Sequence, residues 1–189
     1  KLKPYILEQH SDCYQTAIMY GSFIEGTETP YGFQRQNPNV ADNHAKYLIL
    51  DIETDEDVYG DICLDLSKVR QWLVKTYPWI TDKTGMLLYQ TASAGVVLKE
   101  EEKHKQIRIR AILETTLTSG INEKQRQHYL RQYMKSTQGE DFYRHIDNCT
   151  HQKARLFFLA PPVLDNTERL ITNDMTCRLY EGKPVEFDA

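Results

Sequence analysis

The feature that most constrains this chain is an apolar run ending in two acidic residues, at Tyr47–Glu53. Such a run followed by alternation is typical of a mostly buried strand. Asp51 and Glu53 are two positions apart, so both carboxylates project from the same face of the strand. Carboxylates at this spacing can bridge hard divalent cations, and a rigid strand would hold them in place. The alternative is that acids at a strand end are simply solvated.

Periodic segments follow this strand along the chain. An amphipathic helix is predicted over Leu66–Tyr77, with Asp65 as its N-cap and Pro78 ending it. A second helix is predicted after Asn122, with Gln125 in the capping-box position. The resulting order β-α-β-β-α-β predicts an α+β fold, with helices packed on one face of a sheet. The remaining predicted elements are strands at 86–90, 107–113 and 154–160 and a tail hairpin turning at Glu181-Gly182.

Composition places the chain among ordinary soluble globular proteins, with 40% hydrophobic and 26% charged residues. Its 189 residues fit a single domain, 1–189, and the start at Lys1 suggests a domain cut from a longer chain. No apolar run approaches the ~20 residues needed to cross a bilayer, so no membrane partner is expected. Four dispersed cysteines without a CxxC pair disfavour a zinc site or a disulfide framework. Reduced thiols and a cytoplasmic location are expected.

Charge is distributed unevenly along the chain. The formal net charge of −4 disfavours indiscriminate binding to nucleic acid. Residues 51–65 nevertheless hold seven acidic residues and no basic one, whereas residues 103–155 hold eleven basic residues against five acidic ones. This division suits a protein that holds metals with one part and phosphates with another. Four basic residues on the second predicted helix would either track a template backbone or form a solvated face: Lys124, Arg126, Arg131 and Lys135.

Arginines on two predicted strands are candidates for phosphate binding. Arg108 and Arg110 alternate with isoleucines, and Arg155 begins the next strand in the same way. Arginine forks match phosphate oxygens, although a solvated strand surface is the alternative. The small-residue stretch Thr91–Gly95, with Ser93 at its centre, is predicted to let a nucleotide approach the backbone closely. No P-loop and no histidine metal motif is present in the sequence.

Taken in order, these motifs resemble the archaeo-eukaryotic primase (primase-polymerase) superfamily, in the branch found in plasmids, phages and other mobile elements. That family's apolar strand ending in D-x-E is matched at Tyr47–Glu53. Its strand with a phosphate-binding basic residue is matched at Ile107–Glu114, where arginine stands in place of the usual histidine. Its apolar residue followed by a last metal-binding aspartate is matched at Ile146-Asp147. The resemblance covers residues 35–162 and leaves open which arginine replaces the histidine.

The resemblance implies an RRM-like catalytic sheet with helices on one face, joined to a small N-terminal α/β unit. It also implies a template-directed nucleotidyltransferase, a DNA primase or polymerase, that replicates a mobile element by a two-metal mechanism. Asp51, Glu53 and Asp147 would hold two Mg²⁺ or Mn²⁺ ions. Arg108 or Arg110, with Arg155, would bind nucleotide phosphates. The implied partners are a DNA template, nucleoside triphosphates and a helicase domain or subunit.

Two other functions stay open from the residues alone. A metal-dependent nuclease would use the same carboxylates, with water in place of a 3′-hydroxyl. A non-enzymatic replication-initiator or RRM-type nucleic-acid-binding module would need outward-facing aromatics for base stacking. Phe157 and Phe158 lie among apolar neighbours and are predicted to be core instead. Removing Asp51 or Asp147 is also expected to relieve carboxylate repulsion, so that stability holds or rises slightly.

Overall fold

The computed structural model describes residues 17–29, 32–33, 37–54, 65–91, 107–117, 120–138, 146–155, 157–158 and 177–186. Over these residues the chain forms ten strands and two α-helices. The strands are β1 (Ala17–Ile18), β2 (Gly21–Phe23), β3 (Glu28–Thr29), β4 (Gly32–Phe33), β5 (Val40–Asp42), β6 (Tyr47–Thr54), β7 (Met86–Gln90), β8 (Ile107–Glu114), β9 (Phe157–Phe158) and β10 (Cys177–Tyr180). The helices are α1 (Leu66–Thr76) and α2 (Glu123–Gln138), with short 3₁₀ helices at Asn37–Asn39 and Asn148–His151.

A four-stranded antiparallel sheet organises the described part of the chain. Its strand order is β10-β7-β8-β6, so that β8 separates β6 and β7, which are joined through α1. β6 and β8 pair from Tyr47 opposite Glu114 to Thr54 opposite Ile107. On the outer side of β6, Ile52 forms an isolated antiparallel bridge with Ile146. The predicted α+β class is confirmed at this level.

Both helices begin where the sequence predicts, because their starting signals are local. The Asp65 carboxylate accepts a hydrogen bond from the Ser67 N–H at 2.8 Å and caps α1. α1 ends at Thr76, just before Pro78. At the start of α2, the Asn122 and Gln125 side chains each accept a hydrogen bond from the other residue's N–H, at 2.9 and 3.0 Å. This reciprocal pair is the predicted capping box.

The two faces of the sheet carry different cores. Alternate residues of β6, such as Leu50 and Ile52, join a large core with residues of both helices, such as Leu73 of α1 and Tyr129 of α2. Each leucine or isoleucine fully buried there contributes about 1.5–3 kcal/mol. Both helices therefore pack on one side of the sheet. The smaller core on the other side includes Tyr20, Ala45, Ile49, Leu87, Tyr89, Ile112 and Phe157.

A close backbone contact ties the entrance of β6 to the start of α2. Ala45 and Ile121 form an isolated bridge, with hydrogen bonds of 3.1 and 2.8 Å between their backbones. The neighbouring Gly120 has φ +71, and a Cβ there would lie 2.3 Å from the His44 carbonyl oxygen. Only glycine fits this position without strain.

In the C-terminal part, one prediction is confirmed only in part and another is wrong. The strand predicted at 154–160 begins as a turn, in which the Arg155 N–H bonds the Gln152 carbonyl at 3.1 Å. Within the described residues of that segment only β9 is a strand, and it pairs with β1 outside the central sheet. The tail forms no hairpin at Glu181-Gly182, since β10 pairs with β7 and Val185 bridges Thr115. An apolar run indicates burial but does not name the strand's partner.

Candidate functional site

The acidic strand and the arginine strand pair with each other directly. In the register of β6 and β8, Asp51 lies opposite Arg110 and Glu53 lies opposite Arg108. Ile52, between the two acids, belongs to the core on the helix side. Because side chains alternate along a strand, the two acids and the two arginines project from the face away from the helices.

Asp51 and Arg110 form a buried, bidentate ion pair. Arg110 Nε and Nη2 donate to the two carboxylate oxygens of Asp51, each at 3.2 Å. The Arg110 and Asp51 side chains are only 11% and 5% exposed. The Phe157 ring lies 5.7 Å from the guanidinium and helps to cover it. Burial alone would lower the pKa of Arg110, but the neighbouring Tyr89 and Asp51 outweigh this and raise it, so the guanidinium stays charged.

Glu53 and Arg108 repeat this pairing at the more exposed end of the strands. Arg108 Nη1 donates to Glu53 Oε1 at 2.8 Å. The Arg108 and Glu53 side chains are 30% and 55% exposed. Solvent weakens such a pair, which contributes at most about 1 kcal/mol. The two ion pairs between β6 and β8 thus differ mainly in burial.

Asp147 is distant from Asp51 in the sequence but lies next to it in the fold. Its backbone N–H donates to the Asp51 carbonyl at 3.0 Å, next to the bridge between Ile146 and Ile52. Its Oδ1 accepts from the Cys149 N–H at 2.8 Å, which caps the following 3₁₀ helix. Its Oδ2 accepts from Arg155 Nη2 at 2.5 Å. Asp147 therefore lies beside β6, and its side chain also forms an Asx-type turn at the start of the 3₁₀ helix.

The described residues therefore hold a group of three ion pairs, each between one carboxylate and one guanidinium. Oxygen donors of this kind are those that Mg²⁺ and Mn²⁺ prefer. In the described ranges, however, no three His, Cys, Asp or Glu side chains converge as a ligand group. Each predicted metal ligand faces an arginine instead. The expected repulsion between carboxylates is therefore wrong, because each negative charge has its own positive partner.

The predicted phosphate-binding residues divide into two sets. Arg108, Arg110 and Arg155 all lie in this group, where their described ion-pair partners are the acids. Ser93 and the residues after Thr91 lie outside the described residues. The three arginines therefore lie beside the acids, and their binding of phosphate stays a prediction, as does the role of the small-residue stretch.

Tyr89 is a member of this site that sequence reasoning missed. It lies opposite Arg110 on β7, and Cys177 of β10 lies opposite it on the other side. The Tyr89 side chain is fully buried. Its hydroxyl is near enough to the Arg110 guanidinium to affect its pKa, but forms no aligned hydrogen bond within the structure. Because side chains alternate along a strand, the sequence indicates that Tyr89 shares a face with Leu87 and Thr91. The pairing of Tyr89 with Arg110 depends on the register between β7 and β8, which the sequence does not indicate.

Because the Tyr89 hydroxyl is buried, we expect the free energy of unfolding to fall at alkaline pH. Burial raises the pKa of Tyr89 from 10.0 to about 12. The folded protein therefore keeps a proton that the unfolded chain loses above pH 10, and the free energy of unfolding should fall between pH 10 and about 12. We expect Tyr89→Phe to make this fall shallower by roughly 2 kcal/mol, measured by urea unfolding at pH 9 and pH 11.5. Tyr180→Phe, at a partly exposed tyrosine, is the control, and equal slopes for both variants would contradict the assignment.

One residue of the predicted template-tracking helix has a different role. Arg126 is 0% exposed, whereas Lys124 and Arg131 of the same helix are exposed. Its guanidinium pairs with Asp42 at 3.0 Å and lies 3.9 Å from the centre of the Tyr20 ring. Both alternatives predicted for Arg126, a contact with a template backbone and a solvated face, are therefore wrong. For Lys124 and Arg131 both original alternatives stand, and nothing is described of the Lys135 side chain.

A trough of about 470 Å³ lies on the same face of the sheet, further along the strands. Leu87, Ile112 and Leu179 contribute apolar side chains to it, and Tyr47 lines one side. Leu87 and Ile112 stand two positions along their strands from Tyr89 and Arg110, and therefore project from the same face. The ion pairs thus border an apolar surface with room for a planar group.

Comparison with protein-family models, with curated proteins and with solved structures finds no match for this chain. None of the described helices is long and apolar enough to span a bilayer.

Proposed function

We propose that this chain is the catalytic domain of a DNA primase or polymerase of the archaeo-eukaryotic primase type, replicating a mobile element. The observation that carries the proposal is the position of Asp147. Ninety-four residues after Glu53, it is hydrogen-bonded to the Asp51 backbone at 3.0 Å. The backbone that carries Asp147 thus lies beside the strand that carries Asp51 and Glu53.

The connectivity supports an RRM-like core. β6, α1, β7, β8 and α2 follow one another, with β8 placed between β6 and β7. The bridge of Ile146 to Ile52 then brings the chain back beside β6. We take this bridge as the counterpart of the fourth strand of a split βαβ arrangement. The strand pairs β2–β5 and β3–β4 belong to the proposed N-terminal unit.

The chemistry proposed is attack of a primer 3′-oxygen on the α-phosphorus of a nucleoside triphosphate, with release of pyrophosphate. Asp51, Glu53 and Asp147 would hold the divalent cations, and these would supply activation of the hydroxyl and charge neutralisation of the leaving group. Arg108, Arg110 and Arg155 would bind the phosphate oxygens, as their charged forks can do in a partly buried site. The apolar trough would receive a base, and the template strand would run beside it.

A non-enzymatic module that stacks bases on its sheet is less well supported. Such modules present exposed aromatic rings. Among the described residues, Ile24 is the large hydrophobic side chain that is exposed, at 41%. Phe157 is fully buried, as predicted for a core residue, and the Tyr20 and Tyr47 rings stack on each other at 5.6 Å. The helix-free face therefore offers charged pairs rather than open rings.

The test is an assay of a labelled template strand with nucleoside triphosphates and Mg²⁺ or Mn²⁺, with and without a labelled primer. We expect a longer product that depends on template and on divalent cation. Shortening of either labelled strand would instead favour a metal-dependent nuclease using the same carboxylates. Binding without any change in strand length would favour the initiator module. Asp147→Asn should abolish the product, and Asp82→Asn, in an exposed turn, is its matched control.

A further inference from the structure

Two arginines lie against one tyrosine ring where α1 meets the strand β10. The guanidinium carbons of Arg70 and Arg178 are 4.9 and 5.3 Å from the centre of the Tyr180 ring. Arg178 Nη1 also donates to Ser67 Oγ at 2.7 Å, and Arg70 Nη2 donates to the Asp82 carbonyl. We call Ser67, Arg70, Arg178 and Tyr180 the α1–β10 cluster. Tyr180 packs against the core on the helix side, so the cluster lies on the face opposite the ion pairs of β6 and β8.

No described carboxylate neutralises this cluster. Asp65, Asp82 and Glu181 are the acids next to it in the sequence, and none of them forms an ion pair with either arginine. The Asp65 carboxylate accepts from the Ser67 N–H instead. Two guanidiniums against one ring lie within about 10 Å of each other, where like charges repel and salt screens them only partly. An anion bound at the cluster would remove this repulsion.

The cluster also has hydrogen-bond donors left for a ligand. A guanidinium has five N–H donors, and Arg70 and Arg178 each use one nitrogen in a described hydrogen bond. The Ser67 hydroxyl accepts from Arg178 and, at 3.5 Å, from the Tyr180 hydroxyl, so its own proton has no acceptor among the described residues. Phosphate oxygens accept hydrogen bonds and match the planar fork of arginine. The donors and the charge therefore both favour a phosphate ligand.

The extent of the positive charge favours a strand over a single phosphate. α1 carries Lys68, Arg70 and Lys75 and no acid. Lys68 and Lys75 are both exposed and lie seven residues apart, about 10 Å along the helix axis. Successive phosphates of one strand can contact cations spread over that length, whereas one phosphate cannot. A basic track beside an aromatic side chain is also the combination that binds single strands.

We propose that the α1–β10 cluster, with Lys68 and Lys75, binds the phosphate backbone of a single-stranded nucleic acid whatever its sequence. Phosphate contacts of this kind position a strand and do not read its bases. β10 is the edge of the described sheet and Tyr180 also lines the apolar trough, so the bound strand would continue over this edge towards the trough. The proposal does not require nucleotidyl transfer, because a polymerase, a nuclease and an initiator module would each hold a strand.

The experiment measures strand binding in EDTA and without nucleotide. A labelled oligothymidylate is titrated at several salt concentrations with wild type, with Arg178→Gln and with the double variant Arg70→Gln, Arg178→Gln. We expect each lost arginine to weaken binding about threefold to tenfold at about 0.1 M salt, and to reduce the slope of log affinity against log salt by about 0.7. The matched control is the double variant Lys124→Gln, Arg131→Gln, which removes the same charge from exposed positions on α2.

Equal weakening in the two double variants would overturn the assignment, because binding would then follow net charge alone. An unchanged salt slope in Arg178→Gln would overturn it as well. Since Arg178 is exposed, this single variant decides the question even if the double variant fails to fold. If inorganic pyrophosphate binds as tightly as the oligonucleotide and also depends on Arg178, the cluster holds a small phosphate ligand and the assignment to a strand is wrong. Asp147→Asn should keep the affinity for oligothymidylate, so strand binding and primer extension are tested separately.

Discussion

Asp51→Ala is expected to abolish nucleotide incorporation and also to lower the free energy of unfolding by about 3–5 kcal/mol. The second effect follows from the pair with Arg110, whose side chain is 11% exposed and would be left buried without its partner. An ordinary metal ligand that is crowded by other acids would instead leave stability unchanged or higher when removed. Urea unfolding in EDTA measures this effect separately from the activity.

The paired replacement Asp51→Leu with Arg110→Met separates the two contributions. Apolar side chains of similar volume in place of a buried ion pair are often neutral for stability, so most of the lost stability should return. Incorporation should stay abolished, because both the proposed cation ligand and the proposed phosphate ligand are gone. If the double variant stays as unstable as Asp51→Ala, the loss arises from something other than the unpaired Arg110.

Asp147→Ala provides the contrast within the same site. Its partner Arg155 is 34% exposed and Asp147 itself is 28% exposed, so solvent can replace the lost partner. Loss of the hydrogen bond to the Cys149 N–H should account for a decrease of about 1 kcal/mol. Equal loss of activity with unequal loss of stability is therefore expected for the two aspartates. Full activity in either variant would end the two-metal proposal.

The elements that the sequence predicts well are those determined by residues close together in the chain. β6 follows from its apolar run, and both helix starts follow from side chains within three residues of the caps. The ion pairs do not follow, because they depend on the register between β6 and β8. That register is set by packing against both cores, and a slip by one residue would exchange the two faces. The position of Asp147 also depends on a tertiary contact, the hydrogen bond from its backbone N–H to the Asp51 carbonyl.

The edge strand β10 and the role of Arg126 show the same limit. β10 pairs with β7, eighty-eight residues away at the pair of Cys177 and Tyr89, and no local signal names that partner. For Arg126 a signal existed. It stands three and four residues before Tyr129 and Leu130, and thus on the apolar face of α2 rather than on its polar face. Composition alone had grouped it with the exposed basic residues.

Arg126→Ala is expected to lower the free energy of unfolding by about 3–5 kcal/mol, because Arg126 joins three parts of the chain. Its Nη2 donates to Asp42 at 3.0 Å, its Nη1 to the Ile121 carbonyl at 2.7 Å and its Nε to the His151 carbonyl at 3.0 Å. The Tyr20 ring packs on the guanidinium, at 3.9 Å from ring centre to Cζ. The alanine variant would leave these acceptors without their donors inside the protein.

Lysine should not restore stability at this position, because one ammonium cannot reproduce a planar fork directed at three separate acceptors. Lys124→Ala is the matched control, since Lys124 is exposed on the same helix and should change stability by no more than about 0.5 kcal/mol. Urea unfolding of the three variants at one pH and temperature measures the difference. Because the His151 carbonyl follows Asp147 by four residues, loss of Arg126 should also loosen the segment that carries this carboxylate. Wild-type stability in Arg126→Ala, or full recovery in Arg126→Lys, would show that the buried fork is not what joins these segments.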